Sequence, residues 1–262
     1  MYRTTRATTA ATLLACLTLT AGCSKSGPEV IATGPAQTSA AATSAAPEPS
    51  ATEATAVDGL SAVEVWKKTK TDADAAKSVH VAARLLDGKE LIAINLKLSE
   101  AGKAFGTLAF NGDKITVRRL GKTLYFKADR GFWTTNADAA TAKALANKWI
   151  MVKKGFSKDM EQFFQLTDMD YVVSDMMSLS AAEQQTLKLV PGIDIGRQKT
   201  IGLAETDAGQ AQLQTLYLSA DDPALPLNLT FADSDQFMKF RSWGQDFTVL
   251  APRGAIDLAT AG

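Results

Sequence analysis

Apolar and polar residues alternate with a period of two over most of residues 78–128, and this alternation constrains the fold more than any other feature. Successive side chains of a β-strand point to opposite faces, so such a run predicts a strand with one buried face. Asn111-Gly112, a pair typical of a tight hairpin turn, separates two of these runs, and Gly121 separates the next two. The sequence therefore predicts an antiparallel meander. Its strands are 78–86, 91–99, 103–110, 114–120 and 122–128.

The residues on either side of the meander predict helices and further strands. Residues 60–76 carry apolar positions at helical spacing, and Ser61 with Glu64 has the spacing of an N-terminal capping box. Further helices are predicted at 136–147, 158–165, 168–178 and 180–189, and further strands at 148–153, 193–204, 210–220, 227–232, 237–243 and 247–250. This order indicates one α+β domain over 58–262, built on a large antiparallel sheet.

Composition excludes several classes of protein. Lys and Arg together number 28, and so do Asp and Glu, so the basic excess that nucleic-acid binding needs is missing and no nucleic-acid partner is expected. His80 is the only histidine, and both cysteines, Cys16 and Cys23, lie near the N-terminus. The sequence contains no phosphate-binding glycine loop, nucleophile elbow or zinc-protease motif. We therefore expect no catalytic residue, no metal site and no cofactor.

Two pairs of aspartates are the remaining candidates for acid–base chemistry or cation binding. Asp168, paired with Asp170, stands where a helix N-cap is wanted. Asp221-Asp222-Pro223 is a typical turn sequence. Capping and turn roles are therefore favoured over chemistry for both pairs.

The first 23 residues have the pattern of a secretion signal. Arg3 and Arg6 precede an uncharged stretch, 7–20, that is too short to span a bilayer. The stretch ends in Leu19-Thr20-Ala21-Gly22-Cys23, which resembles the lipobox of bacterial lipoproteins, although Thr20 departs from the usual leucine. The resemblance implies a signal peptide over 1–22 and a lipidated Cys23, with palmitate among its acyl chains. The alternative is an ordinary cleaved signal with an incidental cysteine.

Residues 23–57 are predicted to form a disordered tether. Ala, Ser, Thr and Pro dominate this segment, and it contains no aromatic residue. A segment of this composition cannot bury enough apolar surface to fold. Together with lipidation of Cys23, the tether predicts an exported protein that is lipid-anchored at the outer face of the cell membrane.

A helical stretch over 160–177 is rich in methionine and aromatic residues. Methionine adapts to varied apolar partners, so one interpretation is a lid over an adjustable lipid cavity. The other interpretation is that these residues fill an ordinary core between sheet and helices. The inward faces of the strands allow the same two interpretations, as a core face or as a cavity wall. A shift of one residue in register would exchange those faces. The candidate cavity or lid residues are Ile94, Leu96, Leu98, Leu108, Phe110, Ile115, Val117, Leu124, Phe126, Met151, Phe163, Phe164, Val172 and Met176.

A likeness to a known family bears on this choice. It is carried by turns and strand aromatics, among them Asn111-Gly112-Asp113, Phe132-Trp133 and Leu225-Pro226-Leu227. The runs involved are 106–108, 111–117, 120–126, 132–133, 148–152, 216–218, 225–227 and 243–258. Over nearly the whole domain the chain resembles the actinobacterial lipoproteins of the LppX/LprG type, which are relatives of the LolA lipoprotein carrier.

The resemblance implies a half-open, incomplete antiparallel β-barrel with helices covering its concave face. It also implies a non-catalytic protein that binds the acyl chains of a lipid, glycolipid or lipoprotein in an apolar cavity, for transport or presentation. Relatives with this fold also act as envelope sensors or interaction modules. The alternative is therefore such a module, with a filled core and an envelope protein as its partner.

Overall fold

The computed structural model describes residues 55–175, 178–207 and 211–260. The predicted signal peptide, Cys23 and the tether up to residue 54 lie outside the described residues, as does Met176. The last residues of the predicted tether belong to the folded domain. Val57 is buried in the core, and the backbone N–H of Ala56 donates to the carbonyl of Ala220 at 2.8 Å. Ordered contacts thus begin before residue 58, where the domain was predicted to start.

Strands and short helices make up the domain. The strands are β1 (Ser78–Asp87), β2 (Glu90–Ser99), β3 (Lys103–Phe110), β4 (Asp113–Leu120), β5 (Thr123–Ala128), β6 (Ile150–Lys153), β7 (Leu187–Val190), β8 (Thr200–Thr206), β9 (Gln212–Ser219), β10 (Pro226–Phe231), β11 (Phe237–Arg241) and β12 (Ile256–Asp257). The helices are α1 (Ala62–Ala75), α2 (Arg130–Asn136), α3 (Ala139–Leu145), α4 (Lys158–Leu166) and α5 (Ala181–Gln185), with a π-helix (Tyr171–Asp175) after α4 and a 3₁₀ turn (Leu258–Thr260) at the end.

All strands join one sheet of 12 strands in the order β12-β6-β5-β4-β3-β2-β1-β11-β10-β9-β8-β7. Neighbours are antiparallel except β12 and β6, which are parallel. The predicted meander is confirmed as β1 to β5, and Asn111 and Gly112 both have positive φ in the turn between β3 and β4. The C-terminal strands attach through β11, which pairs with the free side of β1. The sheet is unclosed because β12 and β7 lie at its opposite ends, which agrees with the predicted half-open barrel.

One face of the sheet, called the inner face here, carries the hydrophobic core. Ile92, Ile94, Leu96 and Leu98 of β2 are buried, as predicted, while Asn95 and Lys97 point to the opposite, outer face and are exposed. Helices α1 to α4 and the π-helix lie on the inner face, because residues of each belong to the same cluster of buried side chains. These residues include Val65 of α1, Trp133 of α2, Leu145 of α3, Phe164 of α4 and Val172 of the π-helix.

Helix α1 begins with the predicted capping box. The backbone N–H of Ser61 donates to Glu64 Oε2 at 2.8 Å, and the N–H of Glu64 donates to Ser61 Oγ at 3.4 Å. Two N–H groups that have no partner within the helix are satisfied in this way. In the described ranges, no helix combines the length and the apolar character that crossing a membrane requires.

Two helix predictions are corrected. The predicted helix 136–147 is shorter than expected and corresponds to α3 alone, because Asp138 accepts the N–H groups of Ala140 and Thr141 at 2.8 and 2.9 Å and starts the helix at Ala139. The preceding helix α2, whose N-cap is Asp129, was missed. The predicted helix 180–189 ends at α5, and its last residues form β7, because these residues find a strand partner in β8.

Two strand predictions are also corrected. Residues 193–199 form no named strand, because the chain turns tightly at Gly196 and the Ile195 N–H donates to the Gln198 carbonyl at 3.1 Å. Residues 247–250 also form no strand. They cross the outer face of the sheet, where Val249 is buried and Arg118 donates to the Leu250 carbonyl at 3.0 Å. Val249 is buried because the segment packs across the strands of the sheet, not because it pairs with a strand.

Candidate functional site

The inner face gathers most of the predicted cavity or lid residues. Ile94, Leu96, Leu98, Leu108, Ile115, Val117, Leu124, Phe126, Phe164 and Val172 are buried in the core cluster, and Phe110 and Phe163 pack against it half-buried. The strand register brings them side by side, since Ile94 pairs with Leu108 and Leu108 pairs with Ile115. In this half of the sheet the structure places a packed core where the sequence allowed either a core or a cavity wall.

Met151 lies on the other face, which corrects the inward position predicted for it. Ile150 and Val152 of β6 are buried on the inner face, so strand alternation turns Met151 outward. It pairs there with Tyr125, which alternates with the inward Leu124 and Phe126. Ile150, Met151 and Val152 are all apolar, so the sequence left the facing of β6 open.

Aromatic contacts fix α2 and α4 against the sheet. The ring of Phe163 in α4 lies 5.5 Å from that of Phe110 and 6.2 Å from that of Phe126, between centroids. Trp133 of α2 lies 5.8 Å from Phe126 and 5.3 Å from Phe132. Aromatic pairs at these separations contribute about 0.5–1.5 kcal/mol each beyond their buried area. The helical cover over β3 to β5 is therefore held by several separate contacts.

Arg119 is a buried charge in this core that the sequence interpretation missed. It follows Ile115 and Val117 at the inward spacing of β4 and is 6% exposed. Its guanidinium donates to the carbonyls of Gly121 and Phe164 at 2.9 and 3.0 Å and pairs with Asp168 at 3.0 Å. Asp168, predicted to cap a helix with its side chain, thus places its carboxylate on this arginine. A charged residue at an inward strand position was the signal that could have revealed the pair.

A cavity of about 50 Å³ opens at the other end of the inner face, between α1 and β7 to β10. Its apolar lining consists of Trp66, Leu179, Leu187, Leu203, Leu216 and Leu229, and its polar lining of Ser178, Glu205 and Gln214. A cavity of this size has room for a few water molecules. None of the predicted cavity residues lines it, although Leu203, Leu216 and Leu229 share the inward alternation that selected the others.

The π-helix beside this cavity is fastened to α1 through Asp74. The Ser174 hydroxyl and the Lys70 ammonium both donate to the Asp74 carboxylate. Burial by itself raises the pKa of Asp74, but these two hydrogen bonds together outweigh it, so the pKa of this carboxyl lies below its ordinary value. The contact thus exists in full only while Asp74 is ionised.

His80 and Asp222, two of the polar residues singled out in the sequence, have structural partners. His80 Nε2 lies 2.7 Å from Asn95 Oδ1 on the outer face. Asp222 pairs with Lys68 of α1 at 2.7 Å, and hydrogen bonds from Lys68 to Asp222 and Asp72 raise the pKa of the lysine. Among the residues with described side chains, no group of three or more His, Cys, Asp or Glu is placed to hold a metal ion.

Comparison with known proteins gives matches in structure but not in sequence. No protein-family model matches the chain, and no curated protein matches it. The crystal structure of LprF from Mycobacterium bovis matches with a TM-score of 0.50 at 13% identity, over 73% of this chain and 96% of LprF. The chain has the fold of LprF.

The Mycobacterium tuberculosis lipoprotein LppX matches with a TM-score of 0.45 at 12% identity, over 72% of this chain and 97% of LppX. At the identity found for LprF, the likeness concerns the fold alone. It confirms the predicted resemblance to LppX/LprG-type lipoproteins at the level of architecture. Because the match spans 96% of LprF, it reaches well beyond a shared hairpin.

Proposed function

We propose that this protein binds the acyl chains of a lipid, glycolipid or lipoprotein between the inner face of its sheet and the helices that cover it, for transport or presentation. In this proposal Cys23 carries a lipid that anchors the chain at the outer face of the cell membrane. The observation that carries the proposal is the apolar cavity beside α1, at the edge of a helical cover built from short separate pieces.

The cover is suited to opening because its pieces are short. Helix α4 has 9 residues and the π-helix has 5, and neither contributes to strand pairing. Moving them outward would break the Arg119 contacts to Phe164 and Asp168 and expose the apolar inner face, while leaving the strand hydrogen bonds intact. An acyl chain that replaced them would be held by the hydrophobic effect, at about 25 cal/mol per Å² of apolar surface removed from water. The cavity at Trp66 is the place where such a chain would enter.

Native mass spectrometry with organic extraction tests the proposal. Residues 54–262 form one compact unit, and every core residue lies within it, so a chain starting at Ala54 keeps the core and lacks Cys23. Any lipid that co-purifies is then a ligand and not the anchor. The expected result is a stoichiometric adduct that extracts as a defined lipid class.

A pair of variants on β7 makes the test specific to the cavity. Leu187 lines the cavity and is half-buried, so Leu187→Trp is expected to fill it and to abolish lipid loading. Leu189, two residues along the same strand, is 43% exposed, and Leu189→Trp is the matched control that keeps loading. Equal loading of both variants would contradict a binding site at this cavity.

The second candidate is a non-catalytic interaction or sensor module with an envelope protein as partner. The observation that favours it is the complete burial of Leu96, Leu108 and Val117 beneath the helices. A chain that purifies with its bare mass, and keeps that mass after incubation with lipids from its native source, would support the module and reject the carrier.

A further inference from the structure

A second cleft lies on the outer face, away from the proposed acyl site. Its volume is about 740 Å³, and it opens beside β10 and β11. Asn228, Lys239 and Arg241 line it, and they alternate with Leu229 and Met238, which are buried on the inner side. Phe240 is also buried and contributes to the lining of the cleft. Binding sites for small molecules range from about 300 to 1,000 Å³, so the cleft has the size of such a site.

Charges in the cleft nearly cancel. Asp194 and Asp222 are paired with Lys199 and Lys68, at 2.9 and 2.7 Å. The remaining charged residues of the cleft are Asp221, Lys239 and Arg241. In the described part of the chain, none of these three has an ion-pair partner within 4.0 Å. A cleft with free donors and a free acceptor but almost no net charge favours a ligand that both donates and accepts hydrogen bonds.

An unsatisfied acceptor lies in the cleft wall. Asn228 Oδ1 is buried and has no hydrogen-bond partner among the described residues. A buried carbonyl without a donor costs about 1–3 kcal/mol, so a group that donates to it would be stabilised there. The hydroxyl of a ligand supplies such a donor and at the same time accepts from a cation.

Trp243 provides a fixed aromatic surface at the same cleft. Its indole N–H donates to the Pro226 carbonyl at 2.8 Å, and its ring stacks on Phe240 with 5.9 Å between centroids. The indole is therefore fixed by its stacking on Phe240 and by the hydrogen bond of its N–H. It loses little conformational freedom when a ligand packs on its remaining surface. A rigid aromatic surface beside hydroxyl-binding groups suits the C–H face of a sugar ring.

We propose that the outer cleft is a binding site for a neutral saccharide. Asp221 and Asn228 accept from its hydroxyls, Lys239 and Arg241 donate to them, and Trp243 packs against a ring. The site is separate from the acyl site, so it stands or falls independently of the proposed function.

Nitrogen-15 NMR of the Ala54–Gly262 unit tests the proposal. The probes are oligosaccharides of neutral hexoses, of pentoses and of N-acetylated amino sugars, each at millimolar concentration, with inorganic phosphate and glycerol 3-phosphate as anionic comparators. One saccharide class is expected to shift the Trp243 indole and the amides of Asp221, Asn228 and Arg241 in a saturating manner.

Substitutions then locate the binding. Arg241→Ala and Asp221→Ala are each expected to weaken it about tenfold or more, because each removes a hydrogen bond to a charged group. Lys97→Ala is the matched control, since Lys97 is exposed on the same face but lies outside the cleft, and it is expected to leave affinity unchanged. Phosphatidylcholine vesicles with and without a glycolipid that carries the same saccharide distinguish a head group from a free glycan.

Three outcomes would overturn the proposal. Shifts with phosphate or glycerol phosphate alone would make the cleft an anion site. Shifts confined to Leu203, Leu216 and their neighbours would place the saccharide in the inner cavity. An absence of shifts with every saccharide would remove the site altogether.

Discussion

At the scale of single residues, Arg119 connects the helical cover to the sheet. Its guanidinium joins β4 to the end of α4 through Phe164 and to Asp168 just beyond it. A buried charge is costly unless its partners are complete, and here they are supplied by two carbonyls and a carboxylate. Because these partners come from distant parts of the chain, the arrangement fixes where α4 lies on the sheet.

Arg119→Met is therefore expected to lower the free energy of unfolding by about 2–4 kcal/mol, because it removes three charge-assisted hydrogen bonds and the ion pair with Asp168. The neighbouring Arg118→Met is the control. Arg118 lies on the outer face, where it donates to the Leu250 carbonyl and stacks over Trp149 at 4.9 Å, and its loss is expected to cost about 1 kcal/mol. Urea unfolding of both variants measures the difference, and equal losses would contradict this role of Arg119.

At the scale of elements, the contact between α1 and the π-helix is expected to depend on pH. The pKa of Asp74 is lower in the folded chain than the value of about 3.9 in an unfolded one, so its stabilisation is complete above that value and is lost as the pH falls through the folded pKa. Acidification below about pH 4 is therefore expected to lower the protection factors of the amides in 171–174, that is, their exchange rates relative to the intrinsic rates at the same pH.

Ser174→Ala should reduce this acid response, because it removes the hydroxyl that donates to Asp74. Thr71→Ala serves as the control, since the Thr71 hydroxyl donates within its own helix, to the carbonyl of Lys67. Hydrogen exchange of both variants between about pH 3 and pH 7 covers the titration of ordinary carboxyl groups. If Ser174→Ala responded to acid as the unaltered chain does, the Asp74 contact would not be the cause.

The elements also show which parts of the fold local sequence determines. The meander of β1 to β5 was predictable because each strand pairs with its neighbour in sequence through a tight turn. Residues 247–250 have the same apolar character, but they find burial under the Arg118 contact and no strand partner. An apolar pattern in the sequence indicates that a segment is buried on one face. Whether the segment also pairs with a strand depends on residues that are distant in sequence.

The candidate site was predictable to the same extent. Alternation identified the inner face correctly for Ile94, Leu96 and their neighbours, but every residue of β6 up to Val152 is apolar, so Met151 was placed on the wrong face. Whether an inward side chain lines a core or a space depends on how closely the helices approach. That distance is set by tertiary contacts such as Phe110 with Phe163, and no local pattern encodes it.

At the scale of the whole molecule, protection from hydrogen exchange is expected to fall from the middle of the sheet toward its two ends. Strands β1 to β4 are each paired on both sides and covered by the core, so their amides should exchange only through global unfolding. The end strands β7 and β12 are short and paired on one side. Their amides should exchange through local opening, and exchange of β7 as slow as that of β2 would contradict this order.

The pairing of β1 with β11 also has a consequence for synthesis. As the chain grows from its N-terminus, β1 to β6 and the helices that cover them follow one another, so this half can assemble from neighbours in sequence. The other side of β1 stays open until β11 has been made, and α1 packs against the π-helix, β7 and β8, which all follow the meander in sequence. A nascent chain thus presents an unpaired strand edge until nearly all of it has emerged, and this is when a holding chaperone would be needed most.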